Sequence, residues 1–234
     1  MKNIVLGLTG QSGAGKSTLC HYLQQMGCKI IDADETARTV VEKGSDCIAD
    51  IVLEFGCEYL TIEGNLNRKK MAETVFTDRA KLKRLNAIMF PYIINHLKEE
   101  IDKAKADSEG VIVLDAPTLF ESGANEFCDR VVSVIAPQET RCQRIIARDG
   151  LTEEEAMHRI TAQHDETYYT DRSWCVIQNS GETDALQMQA DNMISRLEYL
   201  MEHDLKDENA VQNSEEAVPE TQEEQPDQEE KEEA

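Results

Sequence analysis

Residues 10 to 18 read GQSGAGKST, three glycines followed by a lysine and two hydroxyl side chains. Glycines at this spacing let the backbone wrap an anion and turn its N–H groups inward. Lys16 brings a cationic head that can reach the β and γ phosphates of a nucleotide, and the Ser17 hydroxyl can ligate magnesium. The spacing fits GxxxxGK[ST], a pattern that requires a strand before it and a helix after it, whose N-terminus adds partial positive charge. Gly13, Ala14, Gly15, Lys16, Ser17 and Thr18 are therefore expected against the phosphates of a nucleotide.

Two carboxylates follow in IIDAD, Asp32 and Asp34, at the C-terminal end of an apolar segment. Ligands of open α/β sheets gather at that edge. Either acid can receive or orient the proton of an attacking hydroxyl, and Asp32 is equally suited to cap the next helix. Asp115 ends another apolar run, where an acid can hold magnesium through water. Arg141, Arg144 and Arg148 recur at i, i+3 and i+7 in TRCQRIIARDG, within about 60° of one another on a helix. Such a stripe suits the clamping of a transferred phosphoryl group; its alternative is a solvated face balanced by nearby acids. Gly150 stops that helix, and Thr152 with Glu155 forms a capping box for the next, so the arginines sit on a hinged helical pair.

The elements that must position these groups alternate. Asn3 to Thr9 reads as a buried parallel strand, and Lys16 to Met26 as a helix ended by Gly27. Further strands are expected at Lys29 to Asp32, Val111 to Leu114, Val131 to Ala136 and Cys175 to Ile177, with helices between them. This order predicts an α/β fold of three layers, a parallel five-stranded sheet covered on both faces. Glu35 to about Ala106 is helical and amphipathic, punctuated at Gly44, Gly56, Gly64 and Pro91, and reads as a helical insertion. The expected division is a nucleotide-binding core at 1–34 and 108–202 with a lid at about 138–165, the insertion at 35–107, and a tail at 203–234. A last helix is expected from about Asp184 to Met201. Beyond it Lys206 to Ala234 has almost nothing to bury and is expected to be disordered.

The net charge of the 234 residues is -22, and about half of it lies in the tail, where thirteen acids from Asp204 onward face only Lys206 and Lys231. A chain this acidic, with no basic block, has no long-range attraction for nucleic acid or anionic membranes. Seven cysteines without a CxxC pair point to reduced thiols and a cytoplasmic setting. The five histidines are scattered and read as structural or surface residues. The apolar run at the start is too short for a signal peptide and reads as the first strand.

Several segments together resemble the dephospho-CoA kinase family of P-loop proteins: GLTGQSGAGKST, IIDADETAR, FG at 55 and 56, GNLNR, APTLFESG, RIIARDGLTEEEAMHRITAQ and VIQNSG. They cover about Lys2 to Leu200. The resemblance implies an enzyme with ATP and magnesium as cofactors and dephospho-CoA as acceptor, phosphorylated on its ribose 3′-hydroxyl. It implies that Asp34 is the catalytic carboxylate, assisted by Lys16, and that the insertion binds the acceptor. Arg38, Arg68, Leu119 and Glu121 are then expected at the acceptor, Arg144 and Arg148 in the lid, and Asn179 and Gly181 beside the adenine. Ser17 and Asp115 are the expected metal residues. Phe90 precedes Pro91 where the family has His before Pro, and the acidic tail has no counterpart in the common pattern. The competing readings are a P-loop kinase for another nucleotide or metabolite, and a nucleotide-binding regulator without catalysis. Against a GTPase-like switch, the chain contains no NKxD.

Overall fold

β1 (Asn3–Gly10) is buried along nearly its whole length, which is why its sequence is apolar on both faces rather than alternating. The computed structural model describes residues 3–75, 77–107, 109–181 and 183–203. The expected disordered segment from Lys206 to Ala234 lies outside them, whereas His203 ends a helix. After β1 the chain runs through α1 (Lys16–Gln25), β2 (Lys29–Asp32), α2 (Ala33–Thr39), α3 (Asp46–Phe55), α4 (Arg68–Val75) and α5 (Arg79–Asp107). It continues through β3 (Gly110–Asp115), β4 (Arg130–Ile135), α6 (Gln138–Asp149), α7 (Glu153–Thr161), α8 (Glu166–Thr170), β5 (Cys175–Gln178) and α9 (Thr183–His203).

The five strands form one parallel sheet in the order β2-β3-β1-β4-β5. The order turns outward on both sides of β1, so a crevice opens at the C-terminal end of that strand. Register gathers the chemistry there: Leu8 pairs with Asp115, and Asp115 pairs with Asp32. Alternate residues of β1 face opposite layers. Ile4, Leu6 and Leu8 pack with Leu19 and Leu23 of α1 and with Ala190, Met193 and Leu197 of α9. Val5 packs on the other side with Ile112, Leu114 and Leu97 and Ile101 of α5.

Two smaller cores stand away from the sheet. One joins Cys47, Ile48 and Ile51 of α3 to Met71 and Val75 of α4 and Leu85 of α5. The other joins Cys142 and Ile145 of α6 to Ala156 and Ile160 of α7. The capping box at the start of α7 is formed, with Thr152 N donating to Glu155 Oε2 at 2.8 Å and Glu155 N to Thr152 Oγ1 at 3.3 Å.

Pro91 does not interrupt the insertion, contrary to the expectation from the sequence; α5 passes straight through it. An interior proline costs a helix about 3 kcal/mol. Buried apolar side chains on both sides offset that cost, Leu85 before it and Ile93, Leu97, Ile101 and Ala104 after it, at roughly 1.5–3 kcal/mol for each large one. The second half of α5 covers the sheet, so this helix belongs to both the insertion and the central layers.

Candidate nucleotide and acceptor site

The loop between β1 and α1 is fitted tightly to its surroundings. Gly13 and Gly15 have φ of 79° and 99°, in the left-handed region that favours glycine. A Cβ at Gly13 would stand 2.7 Å from the carbonyl oxygen of Arg141, and one at Gly15 would collide with the Asn179 amide. The loop closes on itself through Ala14 N to Gln11 O at 3.0 Å, and α1 begins with Leu19 N to Gly15 O at 3.1 Å. Above it opens a cavity of about 450 Å³ whose wall includes Gly13, Gly15, Lys16, Ser17, Thr18 and Asp34. These are phosphate-loop backbone, one cation, two hydroxyls and a carboxylate at a helix N-terminus, the equipment of a polyphosphate site.

Lys16 donates its ammonium to the carboxylate of Asp115, which is nearly buried at the end of β3. One turn further along α1, burial and the neighbouring Asp115 push the Cys20 thiol up to about 12, so it is an inert thiol at neutral pH. Asp34 stands at the cavity wall with protein behind it. Its surface is exposed toward the cavity, but the protein packed behind it raises its carboxyl above the ordinary aspartate range; Asp32 and Asp115 add to the effect and Lys16 opposes it. Asp32 takes the capping role: its Oδ1 accepts from Asp34 N at 2.8 Å and Glu35 N at 3.3 Å, starting α2.

The three arginines of α6 part company. Arg141 does not join a clamp: it is 6% exposed and outside the cavity wall, because the first turn of α6 packs against the phosphate loop and Tyr169. Burial lowers its affinity for the proton. Arg144 is pinned from behind the loop, donating to Gly13 O and Ala14 O at 3.3 Å each and to Asn179 Oδ1 at 3.2 Å. Asn179 in turn donates from Nδ2 to Ala14 O at 2.9 Å. Arg148 forks onto the adjacent Asp149, with Nε and Nη2 both 2.8 Å from its oxygens. Arg144 and Arg148 both line the cavity.

A larger cavity, about 1350 Å³, lies between α4 and α5 on one side and α7 on the other. Leu82, Phe90 and Glu121 are on its wall, with Arg79 and Lys83 at hand. Glu121 Oε1 is 3.7 Å from Nε2 of His164, whose ring stacks on Tyr168 at 3.7 Å between centroids. Leu119 lies in the core. It is fully buried in the core beneath β1, against Gly7, and lines neither of the two cavities. Arg68 Nη2 donates to Arg38 O at 3.1 Å, and both residues are exposed and line neither cavity, although the Arg38 charge reaches Asp34. Gly181 has φ of 120° and lies beside Arg144.

Sequence reasoning gave no role to Gln11, Ser12, Pro117, Arg159 or Gln163, which also line the phosphate cavity. Gln163 accepts from Ser12 N at 2.8 Å, tying the end of the helical pair to the loop. Arg159 Nη1 donates to Asp149 Oδ2 at 2.8 Å. A glycine stop followed by a capping box turns α7 back onto α6, where Cys142 and Ile145 meet Ala156 and Ile160, and the long Arg159 side chain reaches back to Asp149 at the turn.

The dephospho-CoA kinase family model matches residues 4–185. A dephospho-CoA kinase of Corynebacterium diphtheriae is 39% identical over 192 residues, covering 82% of this chain and 96% of its own. Among solved structures, a Thermus thermophilus protein aligns with a TM-score of 0.71 at 30% identity, over 84% of this chain and 99% of its own. The dephospho-CoA kinase from Campylobacter jejuni aligns with a TM-score of 0.63 at 25% identity, over 83% and 97%.

Proposed function

The chain belongs to the dephospho-CoA kinase family, and from that premise we propose that it transfers the γ-phosphoryl group of ATP to the ribose 3′-hydroxyl of dephospho-CoA. The products are coenzyme A and ADP. The observation that carries the reading is the phosphate cavity, where Lys16, Ser17, Asp34 and Arg148 face one space at the C-terminal edge of the sheet. The large cavity beside it, walled by the insertion helices and Glu121, is the place for the acceptor.

The acceptor hydroxyl oxygen forms a bond to the γ-phosphorus as the bond to the β,γ-bridging oxygen breaks. Asp34 takes the hydroxyl proton, and its raised affinity for protons makes it a better base than an ordinary aspartate near neutral pH. Lys16 exchanges Asp115 for the β and γ phosphates, and the loop N–H groups fix the donor. Arg148 neutralises charge that spreads over the transferred group. Arg144 braces the loop against the Asn179 segment, and that segment is the place we assign to the adenine.

Magnesium fits these residues. Asp32 and Asp115 pair at one end of the sheet, with Asp34 and the Ser17 hydroxyl on the adjoining cavity wall, a set of hard oxygen donors of the kind a divalent cation takes. Magnesium takes one or two protein oxygens and keeps waters and phosphate oxygens for the rest. Ser17 and Asp115 would hold it; when bound, it supplies neutralisation of the phosphates. Seven free thiols support a reducing, cytoplasmic setting. Among the described residues no helix is long and apolar enough to cross a membrane.

The test is ADP release from the purified chain with ATP and a panel of acceptors. Dephospho-CoA should stimulate release far above nucleosides, shikimate or no acceptor. Equal rates with every acceptor would sink the assignment.

A further inference from the structure

Arg159 of α7 lines both the phosphate cavity and the larger acceptor cavity, and it is the residue shared by the two walls among the described residues. Its head is tethered. Nη1 donates to Asp149 Oδ2 at 2.8 Å, and the same carboxylate accepts Nε and Nη2 of Arg148 at 2.8 Å. Asp149 therefore holds two guanidinium groups side by side at the end of α6, and the attraction of Arg148, then of Arg159, keeps its carboxyl below the usual range. Two cations this close would repel without that acid between them. A guanidinium has five N–H donors, so after these contacts each arginine keeps several for another anion. Both side chains are about half exposed, and the space they face is the cavity.

In-line transfer requires the γ-phosphoryl group to pass through the boundary between the donor and acceptor spaces, with charge developing on its equatorial oxygens. A cation fixed at that boundary meets the group fully only when both substrates are in place. We propose that Arg159 is a catalytic residue at this boundary, reaching the transferred phosphoryl group from the acceptor side while Arg148 reaches it from the donor side. Asp149 is the positioning residue that keeps the two heads in register. This rests on the kinase reading above and adds no chemical step to it: the same P–O bonds form and break, and the proton still goes to Asp34.

The experiment uses the full chain. Steady-state ADP release with ATP and dephospho-CoA is measured for wild type, Arg159→Ala, Arg159→Lys, Asp149→Asn and Asp149→Glu, beside ATP-analogue affinity and Tm. Arg159→Ala should lower kcat roughly 100-fold, the scale for losing one donor to developing charge, with nucleotide affinity within about threefold and Tm unchanged. Lysine should restore little, because one ammonium cannot replace a planar fork. Asp149→Asn should lower kcat although both arginines remain, and Asp149→Glu should recover part of it; a merely structural role would move Tm and leave this split unmoved. Near-normal kcat for Arg159→Ala in an active preparation, or a loss confined to ATP affinity, overturns the proposal alone. Failure of the wild type to use dephospho-CoA overturns the kinase reading and takes this proposal with it.

Discussion

The ammonium of Lys16 and the carboxylate of Asp115 form an ion pair at the base of the phosphate cavity, each with its side chain more than four-fifths buried. A strand register that sets Asp115 opposite Leu8 puts this acid beside the first turn of α1. The cation we propose for the phosphates is thereby held in place before any phosphate arrives. Lys16→Ala should reduce kcat by roughly 100-fold or more, by the measure of removing one preorganised charge. It also leaves Asp115 without its partner, a loss of roughly 1–3 kcal/mol for an uncompensated buried group. Adding Asp115→Asn should recover the stability and not the activity. Urea unfolding and turnover of the single and double variants check this; a double variant as unstable as Lys16→Ala would contradict it.

Asp34 gives a pH prediction. Its folded carboxyl binds protons more tightly than an ordinary aspartate, through burial first and then Asp32 and Asp115. The acid limb of kcat should therefore lie at higher pH than for an ordinary aspartate. Linkage gives the sign for stability. A raised folded affinity favours the native state below the unfolded value, and that contribution is lost as pH rises through the folded one. Asp34→Asn should abolish most of kcat with a smaller change in the KM for ATP, and at pH 7 it should melt no lower than wild type. A lower Tm would mean that the charged carboxylate stabilises the fold.

Arg144 and Arg148 should respond differently to lysine. The fork of Arg144 spans two loop carbonyls and Asn179, contacts that exist without substrate. Arg144→Lys should therefore weaken ATP binding several-fold and lower Tm. Arg148 contacts only the neighbouring Asp149 in the described bonds, so Arg148→Lys should lower kcat while ATP affinity stays within a few fold. Identical profiles for the two variants would erase the distinction.

The sheet and the phosphate loop were legible because β1 is buried on both faces and because GQSGAGKST constrains backbone and charge together. The cap at Asp32 and the box at Thr152 were legible for a similar reason, since local hydrogen bonds satisfy the first N–H groups of a helix. Four features depended on tertiary packing and escaped. Helical spacing puts Arg141 on the stripe of Arg144 and Arg148, yet the spacing holds no record that the first turn of α6 is pressed against Gly13. Pro91 looked like a break because its cost is local and the compensating burial is not. Leu119 sits in a loop motif and yet fills the core, and Arg159 joins two cavities only after α7 folds back on α6.

Leu119 yields a prediction of stability rather than binding. It is fully buried beside Gly7, Ala116 and Ala124. Leu119→Ala should cost about 2–5 kcal/mol of unfolding free energy. Acceptor KM at a temperature well below the melt should be almost unchanged. A large rise in KM without loss of stability would return Leu119 to the acceptor site.

The central claim is the transfer of phosphate to the 3′ position of dephospho-CoA, and phosphorus NMR of the reaction mixture tests it directly. With ATP, magnesium and dephospho-CoA, the purified chain should produce ADP and, in equal amount, a new 3′-phosphomonoester on the acceptor, and Asp34→Asn should produce almost none of either. ADP and inorganic phosphate without a phosphomonoester, or a phosphomonoester at another position, would contradict the account.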